Sequence, residues 1–252
     1  MRLARRLARA FGFELVPLAK AREPMRRLVN ALERFAVDLV VDGGANEGQY
    51  AALLRELGWR GPILSVEPIP ELHARLVARA LRDPAWHVAP AVALGPANGR
   101  APLEVSAEPD MSSLLPQSAL LARLSPSSRT VRTIEVPVVR LDELEPLASG
   151  PWRRVFVKLD VQGYEAAVLD GIATLWPRVV GVQLELSLVP LYEGEKGWRD
   201  TIDRMASFGY VPWLFLPGYV EPRSARELQM DVVFFREEAL ERREIGVGNG
   251  RG

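Results

Sequence analysis

Short runs of branched apolar residues alternate along the chain with longer stretches in which apolar residues recur at helical spacing. Runs of the first kind are typical of buried strands, and stripes of the second kind are typical of amphipathic helices. Strands are predicted at about residues 37–41, 63–66, 86–94, 102–107, 133–141, 155–161, 179–186, 210–216 and 231–235. Helices are predicted at about residues 51–57, 71–81, 164–175 and 198–208. Because strands and helices interleave, the pattern favours an α/β fold with a doubly wound, mostly parallel sheet and right-handed crossovers.

Composition narrows the class of protein. The chain has 252 residues, enough to bury a sizeable core in one α/β domain. Its 32 basic residues balance 32 acidic ones, so no global attraction to nucleic acid is expected. The absence of cysteine excludes disulfides, thiolate nucleophiles and zinc–cysteine sites. No apolar run approaches the ~20 residues that cross a bilayer and no signal peptide is recognisable, so a cytoplasmic location is expected.

Charge is concentrated near the start of the chain, and three regions are predicted on that basis. Residues 1–36 form a basic amphipathic helical segment, in which Leu3, Leu7, Ala10 and Phe11 recur at helical spacing among arginines. Such a helix could contact an anionic membrane, close over an anionic substrate, or pack its apolar stripe on the domain. Residues 37–236 form the folded domain, and residues 237–252 a flexible tail.

The most informative motif follows the first predicted strand, where Asp42 leads into Gly43-Gly44-Ala45-Asn46-Glu47-Gly48 and then a helix. Glycines here allow a tight turn and a close approach of the backbone to a ligand. A second strand ends at Glu67, whose carboxylate can accept both hydroxyls of a ribose. The turn lacks the Gly-x-Gly-x-x-Gly order, and Asp42 would repel a pyrophosphate but attract a cationic ligand. These features favour S-adenosylmethionine, which carries a sulfonium and an ammonium but no phosphate.

Six motifs then occur in a fixed order: Val41-Asp42-Gly43-Gly44-Ala45-Asn46-Glu47-Gly48-Gln49-Tyr50, Val66-Glu67-Pro68, Met111-Ser112-Ser113-Leu114, Leu141-Asp142-Glu143-Leu144, Lys158-Leu159-Asp160-Val161-Gln162-Gly163-Tyr164-Glu165 and Leu191-Tyr192-Glu193-Gly194. With them the chain resembles the FkbM-type S-adenosylmethionine-dependent methyltransferases over about residues 37–235. The resemblance implies a class I methyltransferase fold, a seven-stranded sheet whose last strand is antiparallel. It also implies methyl transfer, usually to a hydroxyl oxygen, on sugars of surface glycans or on natural products such as macrolides and polyketides.

In such a sheet, ligands lie at the carboxyl ends of the strands where the strand order reverses. Gly44, Asn46 and Gly48 are therefore expected to cradle the methionine part of the cofactor, Asp42 to meet its ammonium, and Glu67 to hold the ribose. The remaining residues expected to contact the cofactor are Gly43, Ala45, Tyr50, Pro68, Ser112, Ser113, Asp160 and Gln162. The two serines could bond the cofactor carboxylate or serve as local capping groups.

Methyl transfer to oxygen needs alignment of donor and acceptor and removal of the hydroxyl proton. Asp160, at the end of its strand, is the first candidate for the base, and Glu185 is the second. Lys158 either takes part in the reaction or forms a buried ion pair with Asp160 or Glu185. No Asp-Asn pair ends the Glu185 strand, so a metal-independent reaction is expected.

Two other classes of protein stay open. A nicotinamide oxidoreductase would use a similar sheet, but the glycine turn differs and no Tyr-x-x-x-Lys pair follows it. A catalytically idle binding module would have no chemical need for Asp42, Glu67 and Asp160 together. The expected partner is a small-molecule or glycan hydroxyl, and its specificity is expected to lie in residues 102–132 and 188–198.

Overall fold

A computed structural model describes residues 22–221 and 223–239. Its strands are β1 (Leu39–Gly43), β2 (Ile63–Val66), β3 (Trp86–Val88), β4 (Ala93–Leu94), β5 (Gly99–Ser106), β6 (Thr130–Val139), β7 (Val155–Leu159), β8 (Val179–Ser187), β9 (Tyr210–Pro217), β10 (Val220–Glu221), β11 (Arg226–Glu227) and β12 (Gln229–Arg236). Its α-helices are α1 (Glu23–Arg34), α2 (Gln49–Glu56), α3 (Pro70–Ala80), α4 (Ala119–Leu124), α5 (Glu165–Asp170) and α6 (Trp198–Ser207). None of the helices in these residues is long and apolar enough to cross a lipid bilayer.

Seven strands form the central sheet in the order β3-β2-β1-β7-β8-β12-β9. The pairs from β3 to β8 are all parallel, whereas β12 is antiparallel to both of its neighbours, β8 and β9. The last strand of the described residues is thus inserted in reverse between two earlier ones. This arrangement confirms the predicted α/β, doubly wound class I methyltransferase fold with an antiparallel last strand.

Both faces of the sheet are covered, which is why its central strands read as continuous apolar runs. Every residue of β1 and of β7 is buried. On one face, Val40 and Phe156 pack with apolar side chains of α1, α2 and α3. On the other face, Val41 and Val157 pack with side chains that follow β7 and β8 along the chain.

Helix α1 belongs to the basic segment predicted for residues 1–36, and it packs on the sheet. Leu28 and Leu32 are fully buried on its inner face. Phe35, just after the helix, stacks on Phe235 of β12 with ring centroids 4.0 Å apart. Of that segment, the stripe containing Leu3, Leu7, Ala10 and Phe11 lies outside the described residues, as do residues 240–252 of the predicted tail.

Two predicted elements differ from the observed ones. The strand expected at residues 86–94 is divided into β3, in the central sheet, and β4, in a second sheet. Pro90 lies between them and cannot donate a ladder hydrogen bond, which accounts for the break. The helix expected at residues 164–175 ends at Asp170, and Gly171 follows it at a point where a Cβ would lie 2.1 Å from the carbonyl oxygen of Gly95.

The second sheet has the order β4-β6-β5 and gives structure to much of the region predicted to be irregular. Strands β5 and β6 are antiparallel, and β4 runs parallel to β6. Leu103 and Val136 of this sheet pack with Ile69 and Leu72 at the start of α3. The small sheet is therefore fixed beside the carboxyl end of β2, where it contributes a wall to the cleft described next.

Candidate active site

A cleft of about 570 Å³ opens at the carboxyl ends of β1, β2 and β7. Its volume lies within the roughly 300–1000 Å³ usual for small-molecule sites. Residues from the glycine turn, the end of β2, the small sheet and the end of β7 line it together with α1, α2, β9 and β12. Of the predicted cofactor and catalytic residues, those lining it are Gly44, Ala45, Asn46, Tyr50, Glu67, Pro68, Ser112, Ser113, Lys158, Asp160 and Gln162.

The glycine turn is held against two neighbouring strand ends. Gly44 has a φ of +73°, and a Cβ there would lie 1.9 Å from the carbonyl oxygen of Asp160. The backbone N–H groups of Gly44 and Ala45 both donate to the carbonyl oxygen of Val66. Only glycine allows this approach, since a side chain at position 44 would displace the Asp160 backbone.

Gly43 and Gly48 are packing positions and do not line the cleft. A Cβ on Gly43 would lie 2.9 Å from Leu94, and one on Gly48, whose φ is +84°, would lie 2.6 Å from the ring of Trp86. The side chains of Leu94 and Trp86 thus fill the space that a larger residue would need. These two glycines therefore shape the turn from behind the cleft wall, and their contact with a ligand stays a prediction.

Glu67 ends β2 with its carboxylate facing the cleft and only 4% of the residue exposed. One oxygen accepts a hydrogen bond from the backbone of Asn46 and the other accepts one from the backbone of Ile69, both 2.8 Å long. Burial nevertheless dominates and raises the pKa of Glu67 to about 7. The carboxylate is fixed in orientation and titrates near neutral pH.

A row of polar side chains crosses the sheet beneath the cleft. Asp42 of β1 lies in register with Ser65 of β2 and Lys158 of β7, and Lys158 lies in register with Gln183 of β8. Residues in register on neighbouring strands project to the same face, so the four side chains adjoin one another. A continuous polar row inside an apolar sheet is costly unless its members satisfy one another.

Lys158 is the centre of this row. Its Nζ lies 3.1 Å from Asp42 Oδ1 and 3.4 Å from Asp160 Oδ2, and it donates to the carbonyl oxygen of Gly44 at 3.3 Å. Burial alone would lower the pKa of Lys158, but the two carboxylates outweigh burial and raise the pKa. Lys158 therefore pairs with Asp160, which is one of the two partners predicted for it, and not with Glu185, which is the other. It also pairs with Asp42. Asp42 itself is fully buried and reaches the cleft only through Lys158.

Tyr50 covers the row from α2. Its ring centroid is 5.2 Å from Lys158 Nζ, and its hydroxyl donates to Gln183 Oε1 at 2.9 Å. Gln183 Nε2 in turn donates to Asp231 Oδ1 at 3.0 Å. Gln183 thereby links the row and Tyr50 to Asp231, which lines the cleft from β12.

Gln162 connects the two candidate bases. With a φ of +53° it turns its Nε2 toward both Asp160 Oδ1 and Glu185 Oε2, at 2.8 Å each. Glu185 also accepts a hydrogen bond from Gln229 and lies outside the cleft. Burial, with the nearby carboxylates of Asp160 and others, raises the pKa of Glu185 well above its ordinary value. Asp160 faces the cleft with 36% of its side chain exposed, so the two carboxylates occupy different environments.

Both serines of the Met111-Ser112-Ser113-Leu114 motif line the cleft and also bond locally. Ser112 Oγ accepts from the backbone of Ser106 at 3.0 Å. Ser113 Oγ donates to the carbonyl oxygen of Gln162 at 2.7 Å and accepts from the backbone of Leu115. Local capping is thus observed at both positions, and Ser113 helps to fix the backbone of Gln162.

Tyr192 orients Gln162 from the loop after β8. Its hydroxyl donates to Gln162 Oε1 at 2.7 Å, which leaves Nε2 to face Asp160 and Glu185.

We expect Tyr192→Phe to lower the free energy of unfolding by about 1 kcal/mol and turnover by up to about tenfold, because the Gln162 amide loses its fixed orientation. Urea unfolding and steady-state kinetics measure the two effects. Tyr219→Phe is the control, because Tyr219 packs against the same apolar cluster as Tyr192. Unchanged kinetics in Tyr192→Phe would remove Tyr192 from this role.

The cleft also contains residues that the sequence did not single out. Asp231 lines it from β12, and an apolar wall is formed by Met25, Leu53, Leu216 and Pro217. Asp231 carries a weak signal, since it is the polar first residue of the otherwise apolar strand predicted at residues 231–235. The apolar wall carries none, because it is brought together from α1, α2 and β9.

No group of three or more His, Cys, Asp or Glu residues is placed to hold a metal ion in residues 22–221 and 223–239.

Glu165 begins α5, just after the turn that contains Gln162. Its carboxylate accepts hydrogen bonds from the backbone N–H groups of Val161 and Gly163. Its pKa is raised to about 8, chiefly by burial.

The strand order, the inserted antiparallel strand and the glycine turn beside Glu67 define the class I methyltransferase fold. Residues 42–212 match the Methyltransferase FkbM domain. The chain therefore belongs to the FkbM methyltransferase family, and this family membership makes S-adenosylmethionine the implied methyl donor. No curated protein matches the sequence.

Solved structures of other methyltransferases are similar in fold. They include a candidate S-adenosylmethionine-dependent methyltransferase from Listeria monocytogenes, with 10% identity over 86% of this chain and 99% of that one and a TM-score of 0.47. A candidate RNA methyltransferase from Pyrococcus horikoshii shares 12% identity over 88% of this chain and 87% of that one, with a TM-score of 0.44. An rRNA methylase from Streptococcus thermophilus shares 12% identity over 84% and 96%, with a TM-score of 0.41.

Proposed function

We propose that this S-adenosylmethionine-dependent methyltransferase methylates a hydroxyl oxygen of a sugar, a glycan or a polyketide-type natural product. The observation that carries the proposal is Asp160, a carboxylate held at the cleft by Lys158 and Gln162 with part of its side chain exposed. A carboxylate so placed can receive the proton that an attacking hydroxyl must lose. Family membership argues against the nicotinamide oxidoreductase alternative.

The cleft fits the chemical groups of S-adenosylmethionine. Glu67 presents a carboxylate for the ribose hydroxyls, and Gly44 and Asn46 present backbone beside it for the methionine part. Apolar side chains of Ile69 and Leu103 line the same side and suit the adenine ring. When bound, the cofactor supplies an electrophilic methyl group on a sulfonium. The polar and apolar groups of the cleft therefore support the proposed cofactor by their chemical kind.

The proposed chemistry of the chain's own residues is alignment and proton removal. In a transfer in which the acceptor oxygen would bond to the methyl carbon as its bond to sulfur broke, Asp160 would take the hydroxyl proton. Lys158 and Gln162 hold the Asp160 carboxylate in place from two directions. Glu185 supports this arrangement through Gln162, since it lies behind the cleft wall.

Replacing Glu67 by alanine is expected to weaken S-adenosylhomocysteine binding at least about tenfold, because the ribose hydroxyls lose a carboxylate acceptor. Isothermal titration calorimetry measures the affinity. Glu71→Ala is the matched control, since Glu71 is an exposed carboxylate that pairs with Arg132 outside the cleft. Equal affinity in the Glu67 variant and the wild type would contradict the ribose assignment.

The pKa of Glu67, about 7, predicts how this affinity depends on pH. The ionised carboxylate accepts both ribose hydroxyls and the protonated form does not, so affinity is present above pH 7 and is lost as pH falls through it. Between pH 8 and pH 6 the dissociation constant is expected to rise about tenfold. Calorimetry at both pH values tests this dependence, and Glu67→Ala should lose most of it. A slope that persists in the variant would assign the titration to another group.

Methyl transfer itself is tested with methyl-labelled S-adenosylmethionine and two sets of acceptors, methyl pyranosides and macrolide or polyketide alcohols. Mass spectrometry of a methyl ether product would support the proposal and identify the acceptor set. Binding of S-adenosylhomocysteine with no transfer to either set would favour the binding module. Transfer to nitrogen or carbon instead of oxygen would overturn the O-methylation assignment.

A further inference from the structure

A second carboxylate faces the cleft at Asp231, and no step of the proposed reaction uses it. In the described part of the chain, Gln183 is the one hydrogen-bond donor to Asp231, through Oδ1, and no cation forms an ion pair with it. Asp160, by contrast, is held by both Lys158 and Gln162. Asp231 thus has the capacity to accept further hydrogen bonds, and it lines a cleft that a ligand can enter.

The orientation of the Gln183 amide is fixed from the other side. Tyr50 donates its hydroxyl hydrogen to Oε1, so the amide must direct Nε2 toward Asp231. Gln183 is itself 3% exposed, so both of its amide groups are bonded within the protein. Asp231 is consequently held by a chain of two hydrogen bonds that begins on α2 and ends at the cleft.

Strand order separates Asp231 from the cofactor side of the cleft. Glu67 ends β2, Asp160 follows β7 and Asp231 lies on β12, and each successive pair is two strands apart in the sheet. At a strand spacing of about 4.8 Å, Glu67 and Asp231 lie on opposite sides of Asp160, each roughly 10 Å away at the backbone. A ligand group at Asp231 therefore belongs to a different part of the bound assembly from one at Glu67.

The surroundings of Asp231 match this division. Leu216 and Pro217 pair with Asp231 and Met230 across β9 and line the cleft. Met25 and Leu53 line it from the helices above. A carboxylate beside an apolar wall is suited to a ring that has hydroxyls on its edge and carbon–hydrogen groups on its face.

We propose that Asp231, oriented by Gln183 and Tyr50, binds a second hydroxyl group of the acceptor while Asp160 meets the hydroxyl that is methylated. This assignment rests on the proposed O-methyltransferase function. It makes the acceptor a polyol that contacts two carboxylates at once, and it assigns specificity to β12. Burial, together with the charge of Asp160, raises the pKa of Asp231 to about 6, which fits a carboxylate whose remaining partner is a ligand.

The test is a kinetic comparison of the wild type with Asp231→Asn, using saturating S-adenosylmethionine and methyl pyranosides of glucose, galactose, mannose and xylose as acceptors. Asparagine keeps one oxygen that can accept the hydrogen bond from Gln183. Its NH2 group replaces the second carboxylate oxygen, which in the wild type would accept a hydrogen bond from the sugar hydroxyl. We expect KM for the methylated pyranoside to rise at least about tenfold with kcat within about threefold, and S-adenosylhomocysteine affinity to stay unchanged. Asp203→Asn, an exposed position on α6, is the control.

Tyr50→Phe is the second variant, and it tests the same proposal without altering a cleft carboxylate. Loss of the hydroxyl frees the Gln183 amide, so KM for the pyranoside should rise by a smaller factor than in Asp231→Asn. An unchanged KM in both variants would overturn the proposal while leaving the methyltransferase function in place. A collapse of kcat at unchanged KM in Asp231→Asn would also overturn it, by assigning Asp231 to proton transfer.

The wild type separates the failure of this proposal from that of the function on which it rests. Absence of S-adenosylhomocysteine binding in calorimetry would reject the methyltransferase function and the role of Asp231 with it. Cofactor binding with methyl transfer to single-hydroxyl alcohols as efficient as to pyranosides would reject the role of Asp231 alone. Transfer that requires a polyol and weakens in Asp231→Asn would support both.

Discussion

Replacing Lys158 by methionine is expected to destabilise the protein by about 3–5 kcal/mol, because Asp42 would be left as a buried charge without its partner. Lys158 Nζ lies 3.1 Å from Asp42, and both side chains are at most 5% exposed. Methionine has a similar length, so lost packing contributes little to the effect. Equilibrium unfolding in urea, followed by circular dichroism, measures the change in free energy of unfolding.

The control is the double variant Asp42→Asn, Lys158→Met, in which both charges are absent. It should recover at least about 1–2 kcal/mol of the loss, since no unpaired charge then remains buried. A single Lys158→Met variant within about 1 kcal/mol of the wild type would contradict the buried pair as a requirement for folding.

Asp160→Asn is expected to lower turnover by about 10²–10⁴-fold while the protein stays folded. Asparagine retains an oxygen that can accept from Gln162, so the loop geometry is kept and the proton acceptor is lost. Single-turnover methyl transfer at saturating cofactor and acceptor isolates the chemical step from binding. A thermal melt alongside shows whether the variant remains folded.

Glu185→Gln is the matched control for Asp160→Asn. Its side chain can still accept from Gln162 and Gln229, and it lies behind the cleft wall, so turnover should fall by less than about tenfold. The reverse result, a collapse in Glu185→Gln and near-normal turnover in Asp160→Asn, would make Glu185 the base.

Sequence patterning was sufficient for the parts of the molecule governed by local chemistry. Apolar runs such as those around Val40 and around Phe156 predict buried parallel strands, because both faces of such strands must be apolar. Polar residues that interrupt those runs, such as Lys158 and Glu185, are then recognisable from the sequence alone as candidates for a functional role. The glycine turn is also predictable from the sequence, since few residues other than glycine adopt a φ near the +73° of Gly44.

Features set by distant pairing were not predictable in this way. Lys158 has Asp42 as its nearer carboxylate because β1 and β7 are neighbours in register, and nothing in the local sequence specifies that register. Glu185 is screened from the cleft by Gln162, whose position depends on Tyr192 and Ser113 from two other loops. The apolar wall at Met25 and Leu216 likewise depends on helix and strand packing across the fold.

The reversed insertion of β12 imposes an order on how the protein can assemble during synthesis. Strand β9 is made before β12, but its place in the sheet is beyond β12, so its native partner strand is missing until residues 229–236 have been made. The parallel half of the sheet, which carries Glu67 and Asp160, can pair earlier in translation. The side of the cleft formed by Asp231 and Leu216 is therefore the last to be completed, and β8 has an open edge in the nascent chain until then.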